Sequence, residues 1–341
     1  MKRFGRTPPF RGPQGAPVLG SVAEITFLHL GGLDQWVMIR GENVANPILV
    51  LLHGGPGFPE MRLFRHFNAL LEKSFIVVYW DQRGTNKSFD RDIPRSSMTL
   101  EQFIADLNEL VDVVRKRFGQ DKVVIYGHSW GSALGVCYAA RFPEKVAAYV
   151  GTGQIGSWPA SERSSYAFVL AEATRRHHHK ALKQLRAIGP PPYAAQAKMV
   201  QGKWLGRFLG IVRGMPFWRF LRIVVGGPEA SILDVPNIMR GMQFSQDTMW
   251  ADVSALDLTT TVPRLHVPVF FFIGRHDHVI DAESSAAYFQ MLDAPFKRLI
   301  WFEASAHEPP FEESSKFNDA IMELVRPVVV SPVSSPRRMI V

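Results

Sequence analysis

The sequence predicts an α/β fold: a mostly parallel β-sheet with helices on both faces and an inserted helical cap. Three observations predict it. Short, wholly apolar runs alternate with helically spaced ones, which is how strands buried on both faces of a parallel sheet read. The alternation stops near Gly151 and resumes at Val267. The intervening stretch, residues 156–260, lacks strand-like runs and reads as helices broken at Gly189–Pro192, Gly214–Pro216, Gly226–Pro228 and Pro236.

The elements follow in order. Residues 1–20 place Lys2, Arg3, Arg6 and Arg11 among prolines and glycines, as a flexible basic arm would. Val22–Leu30 and Gln35–Arg40 are strand-like, and the break at Asn43–Pro47 leads into Ile48–Leu52, aimed at the turn His53–Gly57. Phe75–Trp80 is β-branched and aromatic and ends at Asp81–Gly84. Met98–Arg117 has helical spacing, with Leu100, Phe103, Ile104, Leu107, Leu110, Val111 and Val114 on one face. Val123–Tyr126 is a buried strand, followed at once by the small-residue helix Ser132–Arg141, and Ala147–Val150 is again strand-like. After the cap, Val267–Ile273 and Lys297–Phe302 are strands separated by a helix at Ala282–Leu292, and Ala306–Val325 closes with a last helix. The core is thus expected over 21–155 and 261–330, the cap over 156–260 and a flexible tail over 331–341.

Composition narrows the function classes. The chain has 341 residues, 46% hydrophobic and 21% charged, too apolar for a disordered protein. No apolar run approaches the roughly 20 residues that span a bilayer, so no stable membrane insertion is expected. The single cysteine, Cys137, forbids an intrachain disulfide and suits a reducing compartment. No apolar stretch follows the basic N-terminus, so no secretory signal is expected and a cytoplasmic location is. The net charge of +8 invites a nucleic-acid or membrane-surface reading. Its surplus, however, sits in the two ends and in the 156–260 stretch, which has 13 Lys and Arg against 7 Asp and Glu. No nucleic-acid partner is expected.

The chemistry concentrates at three turns. Gly127-His128-Ser129-Trp130-Gly131 has the G-x-S-x-G form in a strand–turn–helix context. The turn is sharp, so glycines two before and two after Ser129 avoid clashes while the serine projects above the sheet edge. A serine hydroxyl needs a base to take its proton. The expected order is serine, acid, histidine, and Asp277 and His307 both follow strands, at the carboxyl ends where α/β sheets bind ligands. His307 would take the Ser129 proton, and Asp277 would hold the imidazole tautomer and stabilise its cation. Asp281, the rival acid, better suits an N-cap before Ala282, and His276 and His278 read as loop packing. The third turn, His53-Gly54-Gly55-Pro56-Gly57, can aim backbone N–H groups at a bound oxygen. The N–H groups of Gly55 and Trp130 are expected to form an oxyanion hole. No Lys-Ser/Thr follows the glycines, which excludes a phosphate-binding loop.

Gly127-His128-Ser129-Trp130-Gly131-Ser132, His53-Gly54-Gly55-Pro56-Gly57 and Asp81-Gln82-Arg83-Gly84 together resemble the α/β-hydrolases of the proline iminopeptidase (prolyl aminopeptidase) type, over about residues 22–326 excepting much of the cap. The resemblance implies the α/β-hydrolase fold, a Ser129–His307–Asp277 triad, a Gly55/Trp130 oxyanion hole, a helical cap and no cofactor. Three places depart from that pattern. His128 and Asn86 stand where the family has a small residue and a glycine, and no Trp-Glu motif supplies a cap carboxylate for the substrate's amino group; Trp250-Ala251-Asp252 is the nearest. Hydrolysis of a small ester or amide, or a short peptide, through an acyl-enzyme is therefore the expected activity, with an aminopeptidase acting on N-terminal proline the candidate that the resemblance implies. A carboxylesterase or a carbon–carbon bond hydrolase is the alternative, and an inactive ligand-binding relative is the rival outside enzymes.

Other features read as structural. His177-His178-His179, with Arg175, Arg176 and Lys180, reads as a solvated basic helix face, since consecutive helical side chains cannot converge on one metal ion. Trp204, Leu205, Phe208, Leu209, Phe217, Trp218 and Phe220, interleaved with arginines, are expected to wall an apolar substrate pocket rather than touch a membrane. Cys137 is expected in the core, and Asp81 and Arg83 to brace the loop below the site.

Overall fold

The computed structural model describes residues 6–193, 195–229 and 232–330, except the side chains at 195, 196, 217 and 221. The expected tail, 331–341, lies outside the described residues, as does the side chain of Phe217.

Eight strands form one sheet: β1 Val22–Leu30, β2 Leu33–Gly41, β3 Ile48–Leu52, β4 Ile76–Trp80, β5 Val123–His128, β6 Val146–Thr152, β7 Val269–Gly274 and β8 Lys297–Phe302. Their order is β1-β2-β4-β3-β5-β6-β7-β8. The pairs β1–β2 and β2–β4 are antiparallel and the rest are parallel. The β1–β2 hairpin turns at Gly31 and Gly32, both at positive φ. Strand periodicity sorts the apolar residues onto two faces. In β3, Ile48, Val50 and Leu52 join one buried cluster, and Leu49 and Leu51 join the other. Both faces are dry, which is why this strand reads as an unbroken apolar run.

In the first half of the core lie α1 Met61–Phe67, α2 Leu100–Phe118 and α3 Trp130–Arg141. Helix α2 starts where the Thr99 side chain accepts the Gln102 N–H and ends at Gly119 in the left-handed conformation. Its buried face carries Phe103, Ile104, Leu107, Leu110, Val111 and Val114, as the spacing predicts. Helix α3 begins at Trp130 rather than Ser132, directly after the expected nucleophile.

Between β6 and β7 the described residues form helices and their connections, with no strand: α4 Trp158–Arg175, α5 His179–Ile188, α6 Ala195–Arg207, α7 Phe217–Val225, α8 Val235–Ser254 and α9 Leu258–Thr261. The entry and exit of this segment meet, with Trp158 N–H donating to Leu256 O at 2.8 Å and Leu258 N–H to Gly156 O at 2.7 Å. The segment has a small core of its own, where Val169, Ala173, Ala181 and Leu185 pack with Trp204, Leu205 and Phe208. Those last three side chains therefore hold the cap together instead of walling a pocket, while Trp218 is 63% exposed. The three histidines also differ from a helix face. His177 has positive φ in the turn between α4 and α5, and His178 caps α5, its Nδ1 accepting the Ala181 N–H against the Trp204 ring.

After β7 come α10 Ala282–Met291 and, past β8, α11 Pro309–Glu312, α12 Ser314–Ala320, a π turn at Ile321–Val325 and α13 Arg326–Val330. The expected single helix over Ala306–Val325 is thus broken. Pro309 and Pro310 lack N–H groups and can only open a helix, so Ala306–Glu308 stay in the preceding loop. The segment expected to be a flexible arm is held to the protein from residue 6. Arg6 N–H donates to Pro228 O, and Arg40 Nη1 donates to Pro8 O at 2.7 Å beneath the Phe10 ring.

Candidate active site

Parallel pairing puts the carboxyl ends of β3 to β8 at one edge of the sheet, and every turn singled out in the sequence opens there. Ser129 follows β5 at φ 54, ψ −119, a strained conformation for a residue with a side chain. Its N–H is held by Thr152 O at 2.9 Å. The flanking glycines are obligatory. A Cβ at Gly131 would lie 2.1 Å from Leu52 O, and one at Gly127 would lie 2.3 Å from Gly131 O. The serine is 8% exposed at the start of α3, whose N-terminus favours negative charge.

Asp277 follows β7 and His307 follows β8, and the two meet: His307 Nδ1 lies 2.8 Å from Asp277 Oδ2, both buried. The other carboxylate oxygen accepts the N–H groups of Val279 and Ile280 at 2.9 and 3.1 Å, which fixes the acid's orientation. Asp281 instead caps α10, accepting the Ser284 N–H at 3.0 Å. The His278 ring stacks on Phe168, with the ring centroids 3.6 Å apart.

The imidazole lies over Gly153, where a Cβ would approach His307 Cε1 to 2.6 Å. Ser129 N–H is bonded to the residue before that glycine, so serine and imidazole flank one strand end. Among the described residues no hydrogen bond joins Ser129 Oγ to the ring. That bond commonly tightens only with substrate present.

The His53–Gly57 turn abuts the serine, and a Cβ at Gly54 would lie 3.0 Å from Ser129 Cβ. Gly55 has φ +115 and Gly57 φ +88, so the turn needs its glycines. Below it, His53 Nε2 accepts the Gln82 N–H at 3.1 Å and Nδ1 bonds Gly54 O at 2.9 Å. Burial pushes the His53 imidazole below its ordinary value, in keeping with that neutral role. Arg83 pairs with Asp106 through two contacts of 2.9 Å and bonds Gly31 O, tying the loop to α2 and the first hairpin. Asp81 accepts the Asn86 side chain at 2.9 Å, and burial raises its carboxyl to about 7. Asn86 itself sits at φ 43, so it serves as the glycine would.

Residues 47–176 match the alpha/beta hydrolase fold family. Over 318 residues the chain is 33% identical to the probable aminopeptidase YbaC of Bacillus subtilis, covering 91% of this chain and 98% of that protein. This chain is an α/β-hydrolase of the proline iminopeptidase-like type. The hydrolase is also 25% identical over 306 residues to the proline iminopeptidase of Saccharolobus solfataricus, covering 88% and 91% of the two chains. The proline iminopeptidase structure from Mycobacterium smegmatis shares its fold, with a TM-score of 0.64 at 17% identity, covering 92% of this chain and 100% of that one.

The cap of this hydrolase reaches the loops of His307 and Asp277 through main chain. His307 N–H donates to Ile211 O at 2.9 Å and His278 N–H to Gly210 O at 3.1 Å. The Arg213 N–H donates to Glu312, whose other oxygen accepts Ala306 and Glu308 N–H groups. Helix α8 lies across the glycine turns, with Ser245 against Gly57 and Gly241 against Gly84. The buried carboxylates of the cap are paired. Glu162 meets Lys198 Nζ at 3.1 Å, and Glu229 meets Arg62 and Arg65 of α1.

One cluster escaped the sequence reading. His128 and Glu60 form a buried pair at 2.7 Å beside Ser129, with Glu308 on the far side of the ring at 3.8 Å. His128 stood out in the sequence only as a departure from the family. Glu60, three residues past the glycine turn, carried no signal of its own. No group of three or more His, Cys, Asp or Glu among the described residues could hold a metal ion, and no described helix is long and apolar enough to cross a membrane.

Proposed function

We propose that this hydrolase is a serine hydrolase in which Ser129, His307 and Asp277 form a triad and Gly55 and Trp130 supply the oxyanion hole. The observation that carries the reading is the buried 2.8 Å Asp277–His307 contact beside a strained serine turn. In this reading His307 Nε2 takes the Ser129 hydroxyl proton as Oγ attacks the substrate carbonyl, while Asp277 keeps Nδ1 protonated. The carbonyl oxygen, now negative, receives the N–H groups of Gly55 and Trp130. The imidazolium returns its proton to the leaving group, and water, activated by the same base, releases the acyl group from Ser129.

For the substrate, the names of the relatives, an aminopeptidase and a proline iminopeptidase, favour removal of an N-terminal residue, proline foremost. A second reading, a small-ester hydrolase, is favoured by the cap. Its buried carboxylates, Glu162 and Glu229, already face Lys198, Arg62 and Arg65, leaving neither as an unpaired partner for a substrate ammonium. The chemistries separate in one comparison of proline naphthylamide, its N-acetylated form and short p-nitrophenyl esters. Cleavage of the free amine alone supports the aminopeptidase, and cleavage of esters alone removes it.

A further inference from the structure

His128 is a fully buried cation candidate that the triad does not use, placed one residue before the expected nucleophile. Burial by itself would push its imidazole down, but the Glu60 and Glu308 carboxylates and the His307 carbonyl outweigh that and raise it to about 10. Its two nitrogens point to different parts of the site. Nδ1 lies 2.7 Å from Glu60 Oε1, and the same oxygen accepts the Gly54 N–H at 2.9 Å. Nε2 lies 2.9 Å from the main-chain oxygen of His307. One line of contacts thus runs from the glycine turn, through Glu60 and His128, to the loop that carries the base. The two rings lie 4.9 Å apart.

We infer that His128, doubly protonated and clamped by Glu60, is a positioning residue that ties the oxyanion turn at Gly54–Gly55 to the His307 loop. This rests on the triad reading above. A neutral imidazole has one N–H and cannot donate to both Glu60 and the His307 carbonyl; the cation can, without a tautomer choice. Charge-assisted bonds of this kind are the stronger ones, and both partners are buried where water cannot replace them. The arrangement also gives a use to the bulky side chain at a position where the family resemblance leads one to expect a small one. It occupies the space behind the serine turn and joins two loops that the sheet alone leaves separate. Glu60 reaches that point from just before α1, so a residue with no catalytic chemistry of its own sets the height of the oxyanion turn.

The test measures the second-order rate at which a fluorophosphonate labels the full-length protein, per folded molecule, well below the unfolding temperature of every variant. Labelling needs the activated serine and the oxyanion turn and no knowledge of the natural substrate. His128→Ala and Glu60→Ala are expected to slow labelling by about 10- to 100-fold, the loss of a hydrogen bond to a charged group. His128→Gln, whose amide can still reach the His307 carbonyl, is expected to recover part of the rate. On whichever substrate turns over, kcat should fall while KM stays within about threefold. Should His128→Ala fail to fold, Glu60→Ala and His128→Gln report the same couplings. The inference is overturned if the folded variants label within twofold of wild type, or if glutamine rescues no better than alanine. Ser129→Ala separates the two claims. Labelling that survives it removes the triad and this inference together, whereas its loss beside normal labelling of the His128 and Glu60 variants removes only the inference.

Discussion

The sheet and the cap spend their buried charges differently. At the sheet's carboxyl edge, Asp277 meets His307 and Glu60 meets His128, each pair beside a turn that would touch substrate. In the cap, Glu162 meets Lys198 between Trp158 and Trp250, and Glu229 pins the segment to α1 through Arg62 and Arg65. On the proposed reading the two pairs beside Ser129 would orient reacting groups, whereas the cap pairs hold helices in place, as Arg83–Asp106 does for a loop of the core. The basic surplus of the cap is therefore part of its architecture: several of its cations are committed to carboxylates or aromatic faces before any substrate arrives.

The largest expected effect lies on the core side. Asp277→Asn keeps an acceptor for the Val279 and Ile280 N–H groups but loses the charge opposite His307. It should lower kcat by about 10⁴-fold, as in other triads, with stability changed by no more than about 1–2 kcal/mol. Glu229→Gln should do the reverse. Removing one partner of a buried ion pair costs about 3–5 kcal/mol, so the unfolding midpoint should drop while fluorophosphonate labelling per folded molecule stays near wild type. If Glu229→Gln abolished labelling at full stability, the division between orienting and anchoring charges would be wrong.

A smaller effect follows from pH. His128 is raised from 6.5 to about 10 in the fold, so it binds its proton more tightly folded than unfolded. The stability it contributes is complete below about pH 6.5 and lost as pH rises through 10. Comparing denaturant midpoints of wild type and His128→Gln across pH 6 to 10 should show the gap narrowing upward. A gap that widened would contradict a folded-state cation. The smallest effect belongs to the cap surface. Glu172 is pulled down to about 2 by Arg175 and Arg176, yet both arginines are exposed at the surface, where such pairs contribute under about 1 kcal/mol. Glu172→Gln should shift the melting temperature by only a few degrees at most.

The same division decides what was legible in the sequence. Ile48–Leu52 is dry on both faces and could be read to the residue, as could the half-buried edge strand Lys297–Phe302 from its aromatic and β-branched run, and the turn after Ile48–Leu52 carries a short motif with fixed spacing. Asn86 could be read too, because only a few residue types accept its backbone. The cap helices bury one narrow stripe against each other, so pattern alone could not say whether Trp204 and Phe208 faced a substrate or a neighbouring helix. The histidine run looked helical because nothing in it marks a turn except the cap that His178 forms after folding. Glu60 was invisible for another reason. A lone glutamate has no period, and its partner lies 68 residues away.

The most direct measurement is fluorophosphonate labelling followed by peptide mapping. A single modified residue, Ser129, is expected, with labelling lost in both Ser129→Ala and His307→Ala. Modification at another serine, or labelling that persists in Ser129→Ala, would contradict it.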